Sequence, residues 1–289
     1  MDALTTADGR RLAYRRSGSG PVLVCHPGGP GFSARYFGDL AGLGELFTLV
    51  LLHPRGTDGS DRPADSRAYT TEDYVADLDE LRAHLDLERM LLLGHSHGGF
   101  VAQTYAARHP DRVERLVLAS TLARFQADQE HAMKSTLEQH AEEPWYEDAR
   151  AALLAEQAGE WGTDEELGAI ALREMPFYFA RYDDAARRYL KTLEDEVPVG
   201  DALRLFNDEI VTTFDLRPEL PRITAPTLVI TGEDDFITGP VCAREIAEGI
   251  AGAELVLLAD CGHFLFVEQP EQFAAAVSAF LGVAQPAAA

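Results

Sequence analysis

The chain has 289 residues, 46% of them hydrophobic, so it can bury one large core with an inserted subdomain or form two modest domains. It carries 48 acidic and 25 basic side chains, and the resulting formal net charge of −23 disfavours binding to nucleic acid or to an anionic membrane surface. Such a charge keeps a protein in solution, and part of it can also attract a cationic substrate such as a peptide amino terminus.

No apolar run approaches the roughly 20 residues that a transmembrane helix needs. The first residues lack the basic region and the apolar region of a secretory signal, so we expect a cytoplasmic protein. Three widely separated cysteines, Cys25, Cys242 and Cys261, indicate reduced thiols rather than a disulfide framework or a zinc site. The sequence therefore predicts neither a metal nor a cofactor.

Residues 1–121 alternate short β-rich runs with helical patterns, which predicts an α/β fold. Apolar residues recur at helical spacing in 71–85, and 98–108 supplies a second helix. Several strand candidates are too uniformly apolar to face water, so we expect a mostly parallel central sheet covered by helices on both faces. The predicted strands are 12–16, 22–25, 47–52, 90–93 and 116–119.

From about residue 122 to 217 the strand patterns disappear, and the helix-forming residues Ala, Glu, Leu and Arg dominate. Strand patterns return at 227–231 and 254–258, with helical stretches at 241–250 and 270–281. The sheet is thus interrupted and then completed. We therefore predict a core formed by 1–121 and 218–289, an inserted helical cap or lid at 122–217, and a frayed tail at 284–289.

The run 91–100 reads as a buried strand, a sharp glycine-flanked turn and a helix start, with Ser96 at the apex. Gly94 and Gly98 complete a G-x-S-x-G pattern, which is typical of a serine nucleophile held on a strained turn. The same pattern also occurs in ordinary strand-to-helix turns. The rest of the chain has to decide between these interpretations.

A serine hydroxyl needs a base within hydrogen-bond reach and a third group that orients the base. Asp235 and His263 each follow a predicted strand, at the side of an open α/β sheet where sites form. The order Ser96, Asp235, His263 is the order of α/β-hydrolases. Glu233 and Asp234 are neighbouring alternatives for the acid.

Two backbone N–H groups are expected to hold the oxyanion. His97 follows the nucleophile, so its N–H is one donor, while its side chain and that of His95 are interpreted as packing groups rather than the base. The second donor is expected from the loop 26–31, His-Pro-Gly-Gly-Pro-Gly, where glycines expose their amides and prolines restrict the backbone. A plain turn is the alternative for this loop.

These motifs resemble the α/β-hydrolases of the proline iminopeptidase type, whose oxyanion loop carries His-Gly-Gly-Pro-Gly. The likeness extends to 54–60, Pro-Arg-Gly-Thr-Asp-Gly-Ser, and to 94–99, Gly-His-Ser-His-Gly-Gly. It implies that Ser96, Asp235 and His263 are nucleophile, acid and base. The extra proline of this chain leaves either Gly28 or Gly29 as the oxyanion donor.

In iminopeptidases an acidic lid residue, typically within a Glu-x-x-Tyr-Phe-like segment, holds the free amino group of the substrate. The segment 174–179, Glu-Met-Pro-Phe-Tyr-Phe, is similar. The resemblance thus implies Glu174 as a substrate-binding residue that pairs with an ammonium group. The alternative is that Glu174 is one of many lid acids on a solvated face.

The predicted function is a serine aminopeptidase that releases an N-terminal proline or another small residue from short peptides through an acyl-enzyme. The alternative is an esterase, a lactonase or a carbon–carbon bond hydrolase that acts on a small metabolite, because the same triad serves these chemistries. A third hypothesis is a non-catalytic receptor that uses the same pocket. Small-molecule or short-peptide substrates are the expected partners.

Overall fold

One mixed sheet lies at the centre of the protein, and the computed structural model describes residues 1–283. The predicted frayed tail, 284–289, lies outside the described residues. The strands are β1 (Asp2–Thr5), β2 (Arg11–Gly18), β3 (Val22–His26), β4 (Thr48–Leu52), β5 (Met90–His95), β6 (Val113–Ala119), β7 (Thr227–Gly232) and β8 (Glu254–Leu258). They lie in the order β1-β2-β4-β3-β5-β6-β7-β8.

The strands β3 to β8 are parallel to one another, whereas β1 and β2 add an antiparallel edge. Every residue of β4, β5 and β7 is buried, as expected for strands covered on both faces. The predicted α/β class with a mostly parallel sheet is confirmed. The sequence patterns miss β1, because a four-residue, half-polar edge strand has almost no hydrophobic periodicity.

Helices cover both faces of the sheet, because alternate strand residues point to opposite sides. Leu92 packs into the cluster that contains the helices 71–84, 97–108 and 240–249, while Leu91 and Leu93 pack into the cluster with the helices 265–268 and 270–281. No described helix combines the length and the hydropathy that crossing a bilayer requires. The helices are α1 (Thr71–His84), α2 (His97–Arg108), α3 (Ala127–Glu138), α4 (Tyr146–Gln157), α5 (Asp164–Glu174), α6 (Asp184–Lys191), α7 (Gly200–Leu205), α8 (Pro240–Gly249), α9 (Leu265–Glu268) and α10 (Pro270–Leu281).

The chain between β6 and β7, which we call the β6–β7 segment, contains α3 to α7. Its two ends meet at an antiparallel bridge between Arg124 and Asp215. Next to this bridge, the N–H of Leu216 donates to the carbonyl of Ala123 at 2.8 Å. The segment therefore leaves and rejoins the sheet at one place. The cap boundaries at 122 and 217 stay a prediction.

The backbones of β3, β5 and α2 approach one another unusually closely at two glycines. A Cβ atom on Gly98, in the first turn of α2, would lie 2.2 Å from the carbonyl oxygen of His26 in β3. A Cβ atom on Gly94, in β5, would lie 2.4 Å from the carbonyl oxygen of Gly98. No side chain fits at either place, so these glycines set the distance between α2 and the sheet.

Replacement of Gly98 by alanine tests this close approach. The new methyl group meets rigid backbone rather than a flexible side chain, so we expect Gly98→Ala to lower the free energy of unfolding by about 1–3 kcal/mol. Gly44→Ala is the matched control, because its Cβ would lie 3.6 Å from the nearest atom, the side chain of Leu49. Urea unfolding measures both variants. Equal stabilities would contradict the steric argument.

Candidate active site

Ser96 occupies the sharp turn between β5 and α2. Its backbone angles are φ 55° and ψ −123°, a conformation that costs an L-residue about 1–3 kcal/mol. The turn is held by the Ser96 N–H, which donates to the carbonyl of Ala119 at 3.0 Å, and by the Ser96 carbonyl, which accepts from the Thr121 hydroxyl at 2.8 Å. The strained geometry leaves the Ser96 side chain half-buried at the edge of the sheet.

Asp235 and His263 lie together on the loops that follow β7 and β8. His263 Nδ1 is 2.9 Å from Asp235 Oδ2. The Asp235 carboxylate also accepts from the hydroxyl of Thr238 at 2.7 Å, from the N–H of Thr238 at 3.0 Å and from the N–H of Ile237 at 3.1 Å. The acid and its imidazole partner are therefore held in one orientation.

The pKa of Asp235 lies below its usual range. Burial alone would raise the pKa, but the charge of His263 and the hydrogen bonds from His263 and Thr238 outweigh burial and lower it. Of the two neighbouring alternatives, Glu233 is exposed and Asp234 is half-buried, and neither forms a hydrogen bond with His263 in the described chain. Asp235 is thus an ionised carboxylate that orients the ring.

Ser96 and His263 line the same cavity. Within residues 1–283 the Ser96 hydroxyl and His263 are not joined by a hydrogen bond, a common state of catalytic pairs before substrate binds. The backbone N–H of His263 donates to the carbonyl of Tyr178 at 2.8 Å. The loop of His263 is therefore also attached to the β6–β7 segment. The arrangement brings a hydroxyl, an imidazole and a carboxylate to one edge of the sheet.

The backbone amides near Ser96 differ in whether they already donate a hydrogen bond within the protein. A Cβ atom on Gly28 would lie 2.7 Å from Ser96 Cβ, so the loop after β3 passes directly beside the serine. The N–H of Gly28 donates to the hydroxyl of Tyr36 at 2.6 Å. Within the described chain, the N–H groups of Gly29 and His97 donate no hydrogen bond. These two amides remain available to a ligand.

The cavity beside Ser96 has a volume of about 120 Å³. Its walls come from the loop after β3, from the loop of His263 and from α4, α5 and the residues around them. Most of the lining side chains are apolar, namely Phe32, Leu167, Ala171, Leu172, Met175, Leu193, Leu203, Ile237 and Phe264. Three carboxyl groups interrupt this apolar surface: Glu156, Glu174 and Glu196.

Glu174 lies in the wall of the cavity and is only 3% exposed, so it is not on a solvated face. Its Oε1 accepts a long hydrogen bond from the Tyr178 hydroxyl at 3.5 Å, and its Oε2 has no partner within the described residues. Burial, and then the charge of Glu156, raise the pKa of Glu174 well above its ordinary value. The carboxyl group therefore lacks the cationic partner that a buried carboxylate requires.

Glu156 was not anticipated from the sequence. It lies in the last turn of α4, and its Oε1 accepts from the side-chain amide of Asn207 at 2.9 Å. Burial raises the pKa of Glu156, as it does for Glu196, whose Oε1 accepts from the N–H of Ser33 at 2.6 Å. Helix α4 contains other acidic residues, so nothing in the local sequence marks Glu156 as a residue of the cavity. Its side chain faces the cavity only because α4 packs on α5.

The histidines on either side of Ser96 are buried among aromatic rings, and His95 also lines the cavity. The ring of His97 packs edge-on against Tyr74 and Phe206, with centroids 5.2 and 5.3 Å away. Burial lowers the pKa of His97 to about 3 and that of His95 to about 3. Both rings are therefore neutral at physiological pH.

Comparisons with known proteins agree with this geometry. A model of the alpha/beta hydrolase fold family matches residues 21–270. The chain belongs to the α/β hydrolase family. This confirms the resemblance seen in the sequence motifs, which themselves lie within the matched range.

Individual relatives of this α/β hydrolase have different names. The proline iminopeptidase PfmaB of Pestalotiopsis fici is 30% identical over 268 residues, which cover 91% of this chain and 92% of the relative. A hydrolase of Pseudomonas aeruginosa is 31% identical with a TM-score of 0.73, covering 97% of this chain and 98% of that one. The enol-lactonase of Burkholderia xenovorans is 27% identical with a TM-score of 0.71, covering 97% and 99%.

A fluorophosphonate probe tests the reactivity of Ser96. We expect the wild-type hydrolase to be labelled at Ser96 and the Ser96→Ala variant to remain unlabelled, because only an activated serine attacks phosphorus at neutral pH. Mass spectrometry of the labelled peptide locates the adduct. Ser278→Ala, which removes a buried serine in α10, is the control and should label at the wild-type rate. Labelling elsewhere, or none, would contradict the assignment.

Proposed function

We propose that this α/β hydrolase is a serine aminopeptidase that releases an N-terminal proline or another small residue from short peptides. The observation that carries the proposal is the buried carboxyl group of Glu174, which has no cationic partner, together with the half-buried Glu156 in the same cavity as Ser96. An apolar cavity gains nothing from buried acids unless its ligand is cationic. A free α-ammonium group is the cation that every peptide carries next to its first scissile bond.

In the proposed reaction, His263 accepts the proton of the Ser96 hydroxyl as the oxygen attacks the first carbonyl carbon of the peptide. Asp235 keeps His263 in the required tautomer and stabilises its positive charge. The amides of Gly29 and His97 stabilise the oxyanion, since the Gly28 amide is occupied by Tyr36. His263 then gives its proton to the leaving amine, and water hydrolyses the acyl-enzyme by the same steps.

The ammonium group of the substrate would lie between Glu174 and Glu156. Burial raises the pKa of both carboxyl groups, and the charge of Glu156 raises that of Glu174 further, so the cavity disfavours two ionised acids without a cation. An ammonium group removes that penalty and offers a donor to the unpartnered Oε2 of Glu174. This charge pairing would fix the distance between the amino terminus and the scissile carbonyl.

The size of the cavity supports a small first residue. Its volume of about 120 Å³ is smaller than the cavity of about 150 Å³ that binds benzene in an engineered protein. A pyrrolidine ring has fewer ring atoms than benzene, which agrees with a proline side chain as the group that this cavity receives. The proline iminopeptidase relative from Pestalotiopsis fici, which spans the same length, supports the same substrate class.

The second candidate function is hydrolysis of an ester, a lactone or a carbon–carbon bond in a small metabolite. The mostly apolar lining of the cavity and the similarity to an enol-lactonase at 27% identity favour it. Under this alternative Glu174 has no ionic role. The two functions therefore differ in what replacement of Glu174 should do.

A panel of aminoacyl-naphthylamides, with proline and alanine first, tests the aminopeptidase. We expect turnover of at least one of these, and a loss of kcat/KM of about 100-fold in Glu174→Gln, because a buried charge-assisted hydrogen bond contributes about 1.5–3 kcal/mol. Glu165→Gln, an exposed acid on the same helix α5, is the matched control and should retain wild-type activity. Turnover of aryl esters alone, unaffected by Glu174→Gln, would favour the second candidate.

The raised pKa of Glu174 also predicts a pH dependence that is specific to amine substrates. At pH values below that raised pKa the carboxyl group is neutral and pairs weakly with ammonium, so binding improves as the pH rises. It weakens again when the substrate amine loses its proton near pH 8. The ratio of kcat/KM for a naphthylamide to kcat/KM for an acetate ester cancels the pH dependence that the two reactions share. We expect this ratio to pass through a maximum in the wild type, whereas a flat ratio would contradict the charge pairing.

A further inference from the structure

A chain of hydrogen bonds connects the loop after β3 with the loop that carries His263. The N–H of Gly28 donates to the Tyr36 hydroxyl at 2.6 Å, and that hydroxyl lies 2.8 Å from His95 Nδ1. On the other side of the same ring, His95 Nε2 lies 3.0 Å from the carbonyl oxygen of His263. In the mechanism proposed above, Tyr36 only occupies the Gly28 amide, and His95 has no role.

The position of every hydrogen in this chain follows from its two ends. The carbonyl of His263 can only accept, so His95 Nε2 carries a hydrogen. A neutral imidazole then leaves His95 Nδ1 as an acceptor, which requires Tyr36 to donate its hydroxyl hydrogen to it. The Tyr36 oxygen is thereby free to accept from Gly28. Every donor and acceptor is therefore paired only when each hydrogen bond donates in the direction from Gly28 towards His263.

The surroundings keep His95 in the neutral form that this chain requires. The ring is 1% exposed and packs against Tyr36, Phe264 and Phe266, with centroids between 5.5 and 6.2 Å away. The rings of His95 and His263 are themselves 4.7 Å apart. Burial, followed by the charge of His263, lowers the pKa of His95. A second proton on this ring would break the bond from Tyr36.

We propose that Tyr36 and His95 are positioning residues that set the distance between the oxyanion loop and His263. The chain of bonds uses the amide of Gly28 and so leaves that of Gly29, which lines the same cavity as Ser96, for the oxyanion of the proposed reaction. It also holds the backbone of His263, while the bond to Asp235 orients only its side chain. This inference rests on the proposed serine hydrolysis but not on the choice of a peptide as substrate.

The hydrogen-bond chain from Gly28 through Tyr36 and His95 to His263 is called the bridge below. Tyr36→Phe tests the bridge, because it removes the hydroxyl and keeps the ring. The readout is the inactivation of Ser96 by a fluorophosphonate, resolved into kinact and KI. We expect kinact to fall about 10- to 100-fold, since displacements near 1 Å at a reacting centre have effects of this size. We expect KI to stay within about twofold, because the bridge acts on the reacting groups rather than on probe binding. Tyr105→Phe is the matched control: Tyr105 is also buried, and its hydroxyl donates to Asp79 at 2.7 Å, away from the site.

Two replacements of His95 separate the two arms of the bridge. The amide nitrogen of Gln reaches the place of Nε2, so His95→Gln keeps the bond to the His263 carbonyl and loses the bond from Tyr36. The amide oxygen of Asn reaches the place of Nδ1, so His95→Asn keeps the Tyr36 arm alone. Because the bonds act in series, we expect each variant to lose as much kinact as Tyr36→Phe. The double variant Tyr36→Phe with His95→Gln should lose no more than either single variant.

The possible results of these experiments test the bridge and the aminopeptidase proposal separately. Wild-type kinact in Tyr36→Phe, in His95→Gln or in His95→Asn would overturn the bridge, as would a loss that Tyr105→Phe matches. Multiplicative losses in the double variant would show independent local effects and would also overturn it. If the wild type is labelled but cleaves no aminoacyl-naphthylamide, the aminopeptidase proposal fails and the bridge is still decided by kinact. A wild-type Ser96 that is never labelled overturns both.

Discussion

The carbonyl oxygen of His26 lies where a side chain on Gly98 would have to be, and this contact fixes how close α2 comes to the sheet. Because β3, β5 and α2 meet there without side chains between them, the turn at Ser96 is forced into a positive φ, and the loop after β3 passes beside the serine. The loops after β7 and β8 reach the same edge because parallel strands end together. The relative placement of the site residues depends on that backbone contact.

The buried acids of the site behave differently because their partners differ. Asp235 receives hydrogen bonds from His263, from Thr238 and from the backbone, so the carboxylate is stable in spite of its burial. Glu174 has one long hydrogen bond and an acidic neighbour, so its pKa moves in the opposite direction. The same functional group thus serves as a permanent anion in one loop and, as we propose, as a receptor for a cation in the helical segment.

The parts of the fold with strong local patterns were predictable. The uniformly apolar runs of β3 to β5 and β7 required cover on both faces, and the spacing of apolar residues in α1 required a helix. The edge strand β1 was missed because it is short and half-polar. The resemblance to α/β-hydrolases favours Asp235 over its acidic neighbours, because the acid of that family commonly lies at this distance from the glycine that ends its strand. Glu156 and Tyr36 could not be found, since neither stands in a motif.

The sequence by itself determined the parallel sheet, the serine turn and the order of Ser96, Asp235 and His263, because each depends on residues close together in the chain or on their order along it. It left open whether Gly28 or Gly29 offers its amide and whether Glu174 faces solvent. Only the tertiary structure bears on these points, through the hydrogen bond from Gly28 to Tyr36 and through the packing of α4 against α5, where Glu174 is buried. Both contacts join segments that no local pattern relates, so their geometry exists only once the chain has folded.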